Sequence, residues 1–337
     1  SWTTSGPAEI PVIPADRIAA IAFTSGSSGV PQAHAKSWGS LVMGARALGR
    51  QFDLSQAPPR IAVGTVPAQH MYGLETTIML PLQWGWSLHA GNSILPADIR
   101  TDLAQLESPA WLMTTPFHLK AFVSERTTLS GLEGIISATM PLDRSIALNA
   151  ERLWHVPVHE IYGCTEGGML ASRRTTAGEA WTLCHDLRMR HSQETTWVMG
   201  GHVGAWLPLA DRLTQRSPRE FLLLGPDRDL VKVAGKRASL TALNATLNRI
   251  QGVVDGTFYW PDPGQAGNGR LRAFVVAPGM NRTAILEELR KHIDPVFLPR
   301  PLYVVDSLPR NTTGKLPHEH LKAFAQHVMH PQRHVHE

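Results

Sequence analysis

Short apolar runs, each bounded by Pro, Gly or Ser, alternate with helix-like stretches through the first half of the chain. The runs are Ile18 to Phe23, Arg60 to Val66, Trp111 to Thr114, Gly134 to Ser137 and Val156 to Tyr162. After the first of them, Ser37 to Arg50 places Leu41, Ala45 and Leu48 on one helical face. Such alternation is the pattern of a layered α/β domain rather than of a helical bundle or a β-sandwich.

A second compositional unit begins near Leu230. Residues 240–250 and 282–293 read as amphipathic helices and residues 253–260 and 271–278 as strands, with a turn cluster, PDPGQAGNG, at 261–269. Two helices and a few strands in about a hundred residues suit a small α+β domain, and 337 residues leave room for two domains. The chain is 43% apolar and 18% charged, a mix that folds, and its net charge of +4 is too mild for a dedicated nucleic-acid binder. No apolar run approaches the roughly 18 residues of a membrane span. The first residues hold neither the basic cluster nor the apolar stretch of a signal peptide. Two cysteines, Cys164 and Cys184, make neither a disulfide framework nor a four-cysteine zinc site, so the expected compartment is the reducing cytoplasm. The tail histidines His318, His320, His327, His330, His334 and His336 read as a solvated helix end rather than a metal centre.

The stretch Thr24-Ser25-Gly26-Ser27-Ser28-Gly29 follows an apolar strand and precedes a helix. Glycines let backbone N–H groups crowd around an anion, hydroxyls add donors, and a nearby helix start adds positive potential. No Gly-Lys-Ser/Thr follows at the spacing of a Walker loop. Three further segments share its polar, glycine-bearing character: EIYGCTEG at 160–167, GPDRDLVKVAGKR at 225–237 and LPRNTTGKL at 308–316. In this order and at these separations, the set resembles the adenylate-forming superfamily of acyl- and aryl-CoA synthetases, peptide-synthetase adenylation domains and luciferases. The resemblance runs from Ile18 to about Phe324.

That resemblance implies a two-step ligase using ATP, Mg²⁺ and either CoA or the phosphopantetheine of an acyl carrier protein. A small carboxylic acid attacks the α-phosphorus, pyrophosphate leaves, and a thiol then displaces AMP. Both partners in the first step are anionic, so the site must supply positive charge and donors. The implied roles are these: Thr24, Ser25, Gly26, Ser27, Ser28 and Gly29 hold the β- and γ-phosphates, Tyr162 stacks on adenine, and Thr165 donates to the α-phosphate. Glu166 holds Mg²⁺, Asp211 accepts from the ribose, His70 orients the carboxylate, and Lys315 bridges carboxylate and α-phosphate oxygens. The implied architecture is a large layered α/β domain, residues 1–227, N-terminally short relative to the family, and a small mobile α+β domain, residues 228–337. The hinge lies near residue 228. After adenylation Lys315 leaves the site, and the loop around Gly235 lines the path of the pantetheine arm. TSGSSGVPQAHAKSW with VPAQHMYGLE resembles the ligases encoded with bacterial aryl-polyene pigment pathways.

The sequence departs from the family in places. Gln32 stands where a lysine is common, and Lys36 is the candidate substitute, against the reading of a solvated helix residue. Pro226 stands at a ribose-contacting arginine, leaving Arg228 or no contact at all. Asp211 follows Leu-Ala instead of Thr-Gly, and residues 178–203 match poorly and receive no role. Two alternatives stay open: an enzyme that stops at the adenylate or uses a non-thiol acceptor, and a non-catalytic nucleotide-binding scaffold.

Overall fold

The computed structural model describes residues 10–25, 31–54, 60–91, 93–192, 195–226, 229–233, 235–261, 270–311 and 314–329. Strands β1 (Ile18–Ser25) and β2 (Pro31–Ser37) form an antiparallel hairpin. Helix α1 (Trp38–Gln51) follows directly, started by the Ser37 hydroxyl, which accepts from the Ser40 N–H at 3.2 Å. Next come β3 (Ile61–Gly64), β4 (Ser87–Leu88), β5 (Ala110–Thr114), β6 (Leu132–Ser137) and β7 (Val158–Cys164). They pair in parallel in the spatial order β4-β3-β5-β6-β7. Beyond β7 the sheet turns antiparallel through β8 (Gly168–Arg174) and β9 (Trp181–Leu183). Strands β10 (Arg188–Ser192), β11 (Thr195–Gly200) and β12 (Val203–Pro208) leave to form a sheet of their own. β13 (Asp211–Gln215) and β14 (Glu220–Pro226) return beside β9, which completes nine strands.

The central strands explain the short apolar runs. All five residues of β5 are buried, because alternate side chains pack on opposite faces. Leu112 joins Val63, Ile135, Leu119, Phe122 and Ala147 on one face, under the helices Pro116–Ser124 and Arg144–Trp154. Trp111 and Met113 join Leu48, Leu80 and Ile136 on the other. Leu41, Ala45 and Leu48 of α1 are all buried, as their spacing requires.

The hairpin corrects one expectation. A strand, the seven-residue β2, stands between residue 30 and α1, so the helix does not start directly after the Gly/Ser stretch as expected. Lys36 accordingly sits on a strand, not on a solvated helix, and is buried.

The second unit packs β15 (Leu230–Val233) with β16 (Lys236–Ser239), and β17 (Asp255–Tyr259) with β18 (Arg272–Val276) and β19 (Leu302–Val304). The helices Leu240–Arg249, Arg282–Arg290 and His318–Met329 accompany them. Its apolar clusters draw only on residues 231–329. Three polar contacts hold it against the first unit. The Lys120 ammonium donates to the carbonyls of Val254 (2.7 Å), Val253 (3.2 Å) and Asn248 (3.4 Å), the last in the final turn of helix Leu240–Arg249, where a cation also meets the negative end of the helix dipole. Arg249 pairs with Asp143, and the Arg310 guanidinium lies 5.8 Å from the centre of the Phe117 ring. Among the described residues no helix is long and apolar enough to cross a membrane.

Candidate active site

Ligands of open α/β sheets collect beyond the carboxyl ends of the parallel strands, and the candidate residues lie there. Thr165 and Glu166 continue from β7, Thr114 and Ser137 end β5 and β6, and Thr65 follows β3. Thr65 and Thr114 share a hydroxyl contact of 2.9 Å, and Thr65 meets His118 Nδ1 at 2.9 Å. Tyr72 donates its hydroxyl to the carbonyls of Ile136 (2.8 Å) and Thr114 (3.1 Å), so its ring is fixed across two strand ends. Ser137 Oγ is buried without a hydrogen-bond partner among the described residues.

On the nucleoside side, Tyr162 donates to Asp211 Oδ2 at 2.8 Å and packs edge-on against Trp181 and Phe221. Burial raises the Asp211 carboxyl above its ordinary range, the Tyr162 hydroxyl bond opposes that rise, and the charge of Asp229 adds to it. Asp229 in turn accepts from Ser239 Oγ, and its Oδ1 and Oδ2 accept from the Thr241 N–H at 2.9 and 3.1 Å. Gly26, Ser27, Ser28, Gly29 and Arg228 lie outside the described residues.

On the phosphate side, His34 Nε2 lies 3.1 Å from Thr24 Oγ1 and 3.5 Å from Glu166 Oε1. The Lys36 ammonium donates to the Glu166 carbonyl at 2.5 Å. Burial lowers the Lys36 pKa, and the nearby charges of Glu75, Cys164 and Glu166 work against that. Gln32, the residue at the expected lysine position, is exposed.

His34, Glu75 and His202 are parts of this cluster to which sequence reading assigned no role. Glu75 sits in a π-helical turn, Leu74–Met79, 4% exposed, and accepts from the Met169 N–H at 3.2 Å. His202 meets the Met169 carbonyl at 2.7 Å through Nε2. The strict alternation Gln32-Ala33-His34-Ala35-Lys36 is the signal that places 32, 34 and 36 on one face of a strand. Nothing local points to Glu75 or His202.

Burial pushes the Glu75 carboxyl up to about 7 from an ordinary value near 4.5, with the Met169 N–H and Lys36 opposing. Between these values the folded chain holds a proton that the unfolded chain has released, so stability falls as pH rises from about 4.5 to about 7. Glu75→Gln is expected to remove that slope, a change on the order of 1–3 kcal/mol across the window at about 1.36 kcal/mol per pH unit. Urea titrations at several pH values check it, and parallel wild-type and variant profiles would count against it.

His70 and Lys315 come together from opposite ends of the chain. Burial lowers the His70 pKa, and the positive charge of Lys315 lowers it further. The Lys315 side chain is open to the solvent of the cleft, yet enough protein surrounds its ammonium to hold it below the ordinary lysine range. Its loop is built from the main chain: Asn311 N–H donates to the Lys315 carbonyl (2.8 Å) and Asn311 Oδ1 accepts from the Lys315 N–H (2.9 Å). Arg310 locks the loop's base by bonding Asp255 with two nitrogens, at 2.6 and 2.7 Å, and the Gly314 carbonyl at 2.8 Å. Gly314 has φ +76°, and a Cβ there would come within 2.9 Å of Phe117 Cβ, so this contact with the first unit favours glycine. Gly235 has φ +84° in the turn between β15 and β16 and is exposed, with nothing within 4 Å of where a Cβ would be.

A groove lined by Leu148, Arg152, His155 and Arg174 shares no residue with this cluster, and its carboxylate, Glu151, is already paired with Arg174 at 2.9 Å. The titratable groups gather instead around the strand ends: Lys36, His34 and Glu166, Glu75 and His202 on Met169, the Tyr162–Asp211 pair, and His70 with Lys315.

The relatives fit that arrangement. A 4-coumarate–CoA ligase of Rhodobacter capsulatus is 29% identical over 287 residues, covering 80% of this chain and 66% of its own. The chain thus spans about two thirds of that relative's length. The crystal structure of ATP-bound MatB from Rhodopseudomonas palustris superposes with a TM-score of 0.79 at 19% identity, covering 94% of this chain and 70% of its own. A benzoate CoA ligase from Burkholderia xenovorans LB400 superposes at 0.76 and 17% identity, covering 93% and 70%. The sequence model of the AMP-binding enzymes matches residues 2–211. The chain therefore belongs to the AMP-binding enzyme family, within the adenylate-forming superfamily that includes the acyl- and aryl-CoA ligases.

Proposed function

We propose that the chain is the ligase unit of an enzyme that activates a small carboxylic acid as its adenylate and passes the acyl group to a thiol. That thiol is CoA or the phosphopantetheine of an acyl carrier protein. The observation that supports this reading most directly is that the Lys315 charge reaches His70 and lowers its pKa, in a chain whose strand β7 runs through Tyr162 into Thr165 and Glu166. In the first step His70 orients the acid's carboxylate, and the Lys315 ammonium neutralises charge shared between the attacking oxygen and the α-phosphate. Thr165 donates to that phosphate, Thr24 and the Gly/Ser loop hold the outer phosphates, and the Tyr162–Asp211 pair receives adenine and ribose.

The donor set suits Mg²⁺. Glu166 presents a partly exposed carboxylate that no lysine or arginine side chain pairs with among the described residues. Mg²⁺ takes few protein carboxylates and completes its shell with water and phosphate oxygens. Glu166 would hold it, and the ion would supply charge stabilisation on the phosphates. In this reading residues 1–227 form the large domain and 228–337 the small one. Turning about a hinge near 228 after adenylation exchanges Lys315 for the Gly235 loop.

The acid is aromatic in this reading, an acid of the class used in aryl-polyene assembly. His70, Met71, Tyr72 and Gly73 form one wall, and Tyr72 is pinned in place, which favours a flat substrate over a flexible chain. Pyrophosphate release across benzoates, cinnamates and long-chain fatty acids tests it, with thioester products identified by mass spectrometry. The best aryl acid is expected to exceed every long-chain acid in kcat/KM by about tenfold or more. A preferred long-chain acid would overturn the aryl assignment, and a protein that neither binds ATP nor releases pyrophosphate would overturn the ligase reading.

A further inference from the structure

We infer that strand β2 supplies the fixed framework of the phosphate and metal side of this site, with Lys36 and His34 as positioning residues for the Thr165–Glu166 turn. The inference rests on the reading of Glu166 as the Mg²⁺ ligand.

Side chains 32, 34 and 36 share one face of β2, opposite Thr24, Ala22 and Ala20 of β1. The alanines across from His34 and Lys36 are too small to cover them, and both longer side chains run instead to residue 166. Lys36 holds its main chain, through the carbonyl at 2.5 Å, and His34 lies against its carboxylate at 3.5 Å while also meeting Thr24, the first residue of the phosphate loop. Two side chains of one strand therefore grip the same residue at two points and tie it to the loop.

Both groups are withdrawn from water: Lys36 is 7% exposed, and the side chain of His34 13%. Burying a lysine is costly unless its charge is answered. Here the Glu166 carbonyl answers it by hydrogen bond, while Glu75, buried on a π-helical turn, accepts from the Met169 N–H. The Cys164–Met169 segment is thus held at Glu166 by Lys36 and at Met169 by Glu75. A turn fixed in this way needs no rearrangement when an anion and a cation arrive. On the same face of β2, Gln32 is exposed, and the strand's lysine charge lies on the Glu166 turn.

The test uses Mn²⁺ as a spectroscopic probe by electron paramagnetic resonance, with calorimetry of ATP in chelator and with metal. The proteins are the wild type, Lys36→Met, Lys36→Arg, His34→Gln and Glu166→Gln, each checked by its melting curve. Lys36→Met and His34→Gln are expected to weaken Mn²⁺ binding to the ATP complex by about 10–100-fold, the usual effect of losing a group that orients a metal ligand. Metal-free ATP binding should change much less, and Lys36→Arg should recover part of the loss. If both variants bind Mn²⁺ as the wild type does while Glu166→Gln does not, the role of β2 is overturned and the metal reading stands. If Glu166→Gln binds Mn²⁺ as the wild type does, the metal reading falls and this inference with it. Should Lys36→Met fail to fold, His34→Gln decides.

Discussion

Replacing Lys315 by alanine is expected to slow adenylate formation about 10²–10³-fold, the scale of losing one transition-state donor worth roughly 3–4 kcal/mol. Thioester formation from supplied acyl-adenylate should stay close to wild type. The loop itself should survive, because Asn311 and Arg310 hold it through main-chain groups and Asp255, none of which the substitution removes. Among the described residues no carboxylate forms an ion pair with the Lys315 ammonium, so its removal orphans no buried acid. A second readout needs no chemistry. Lys315 depresses the His70 pKa, so that pKa should rise in the variant when followed by proton NMR. Parallel loss of both half-reactions in single-turnover assays, in a folded variant, would reject the division of labour.

Gly235→Leu is expected to do the reverse, losing thioester formation by about 10²-fold while adenylation is largely retained, since a small misplacement of a reacting group costs that much. The structure supplies the control. Gly235 has φ +84°, so any side chain pays the same left-handed backbone strain of roughly 1–3 kcal/mol. Nothing stands within 4 Å of the added Cβ in this arrangement. Gly235→Ala and Gly235→Leu therefore share the strain and differ in bulk. A gap between them in the thioester step alone reports an obstructed path, whereas equal effects would reduce Gly235 to an ordinary turn glycine.

The strands β3, β5, β6 and β7 were legible because burial on both faces writes itself as a continuous apolar run. Helix α1 was legible from Leu41, Ala45 and Leu48. Strand β2 was not. Its apolar positions are alanines and its other face is polar, so its extended state comes from pairing with β1 rather than from any period of its own. Keeping open a solvated-helix alternative for Lys36 followed from missing that strand.

The sequence alone determined the layered class of the fold, the family and the residue types the chemistry needs, because motifs and short periodicities are local and survive without coordinates. Only the tertiary structure decided which of these residues meet. Lys36 and Glu166 lie 130 residues apart and Tyr162 and Asp211 49 apart. Glu75 and His202 entered the cluster through packing around Met169, with no motif to announce them. Electrostatics and hydrogen bonding act over a few ångströms, so their partners are set by where the sheet delivers its strand ends, and chain separation says nothing about that.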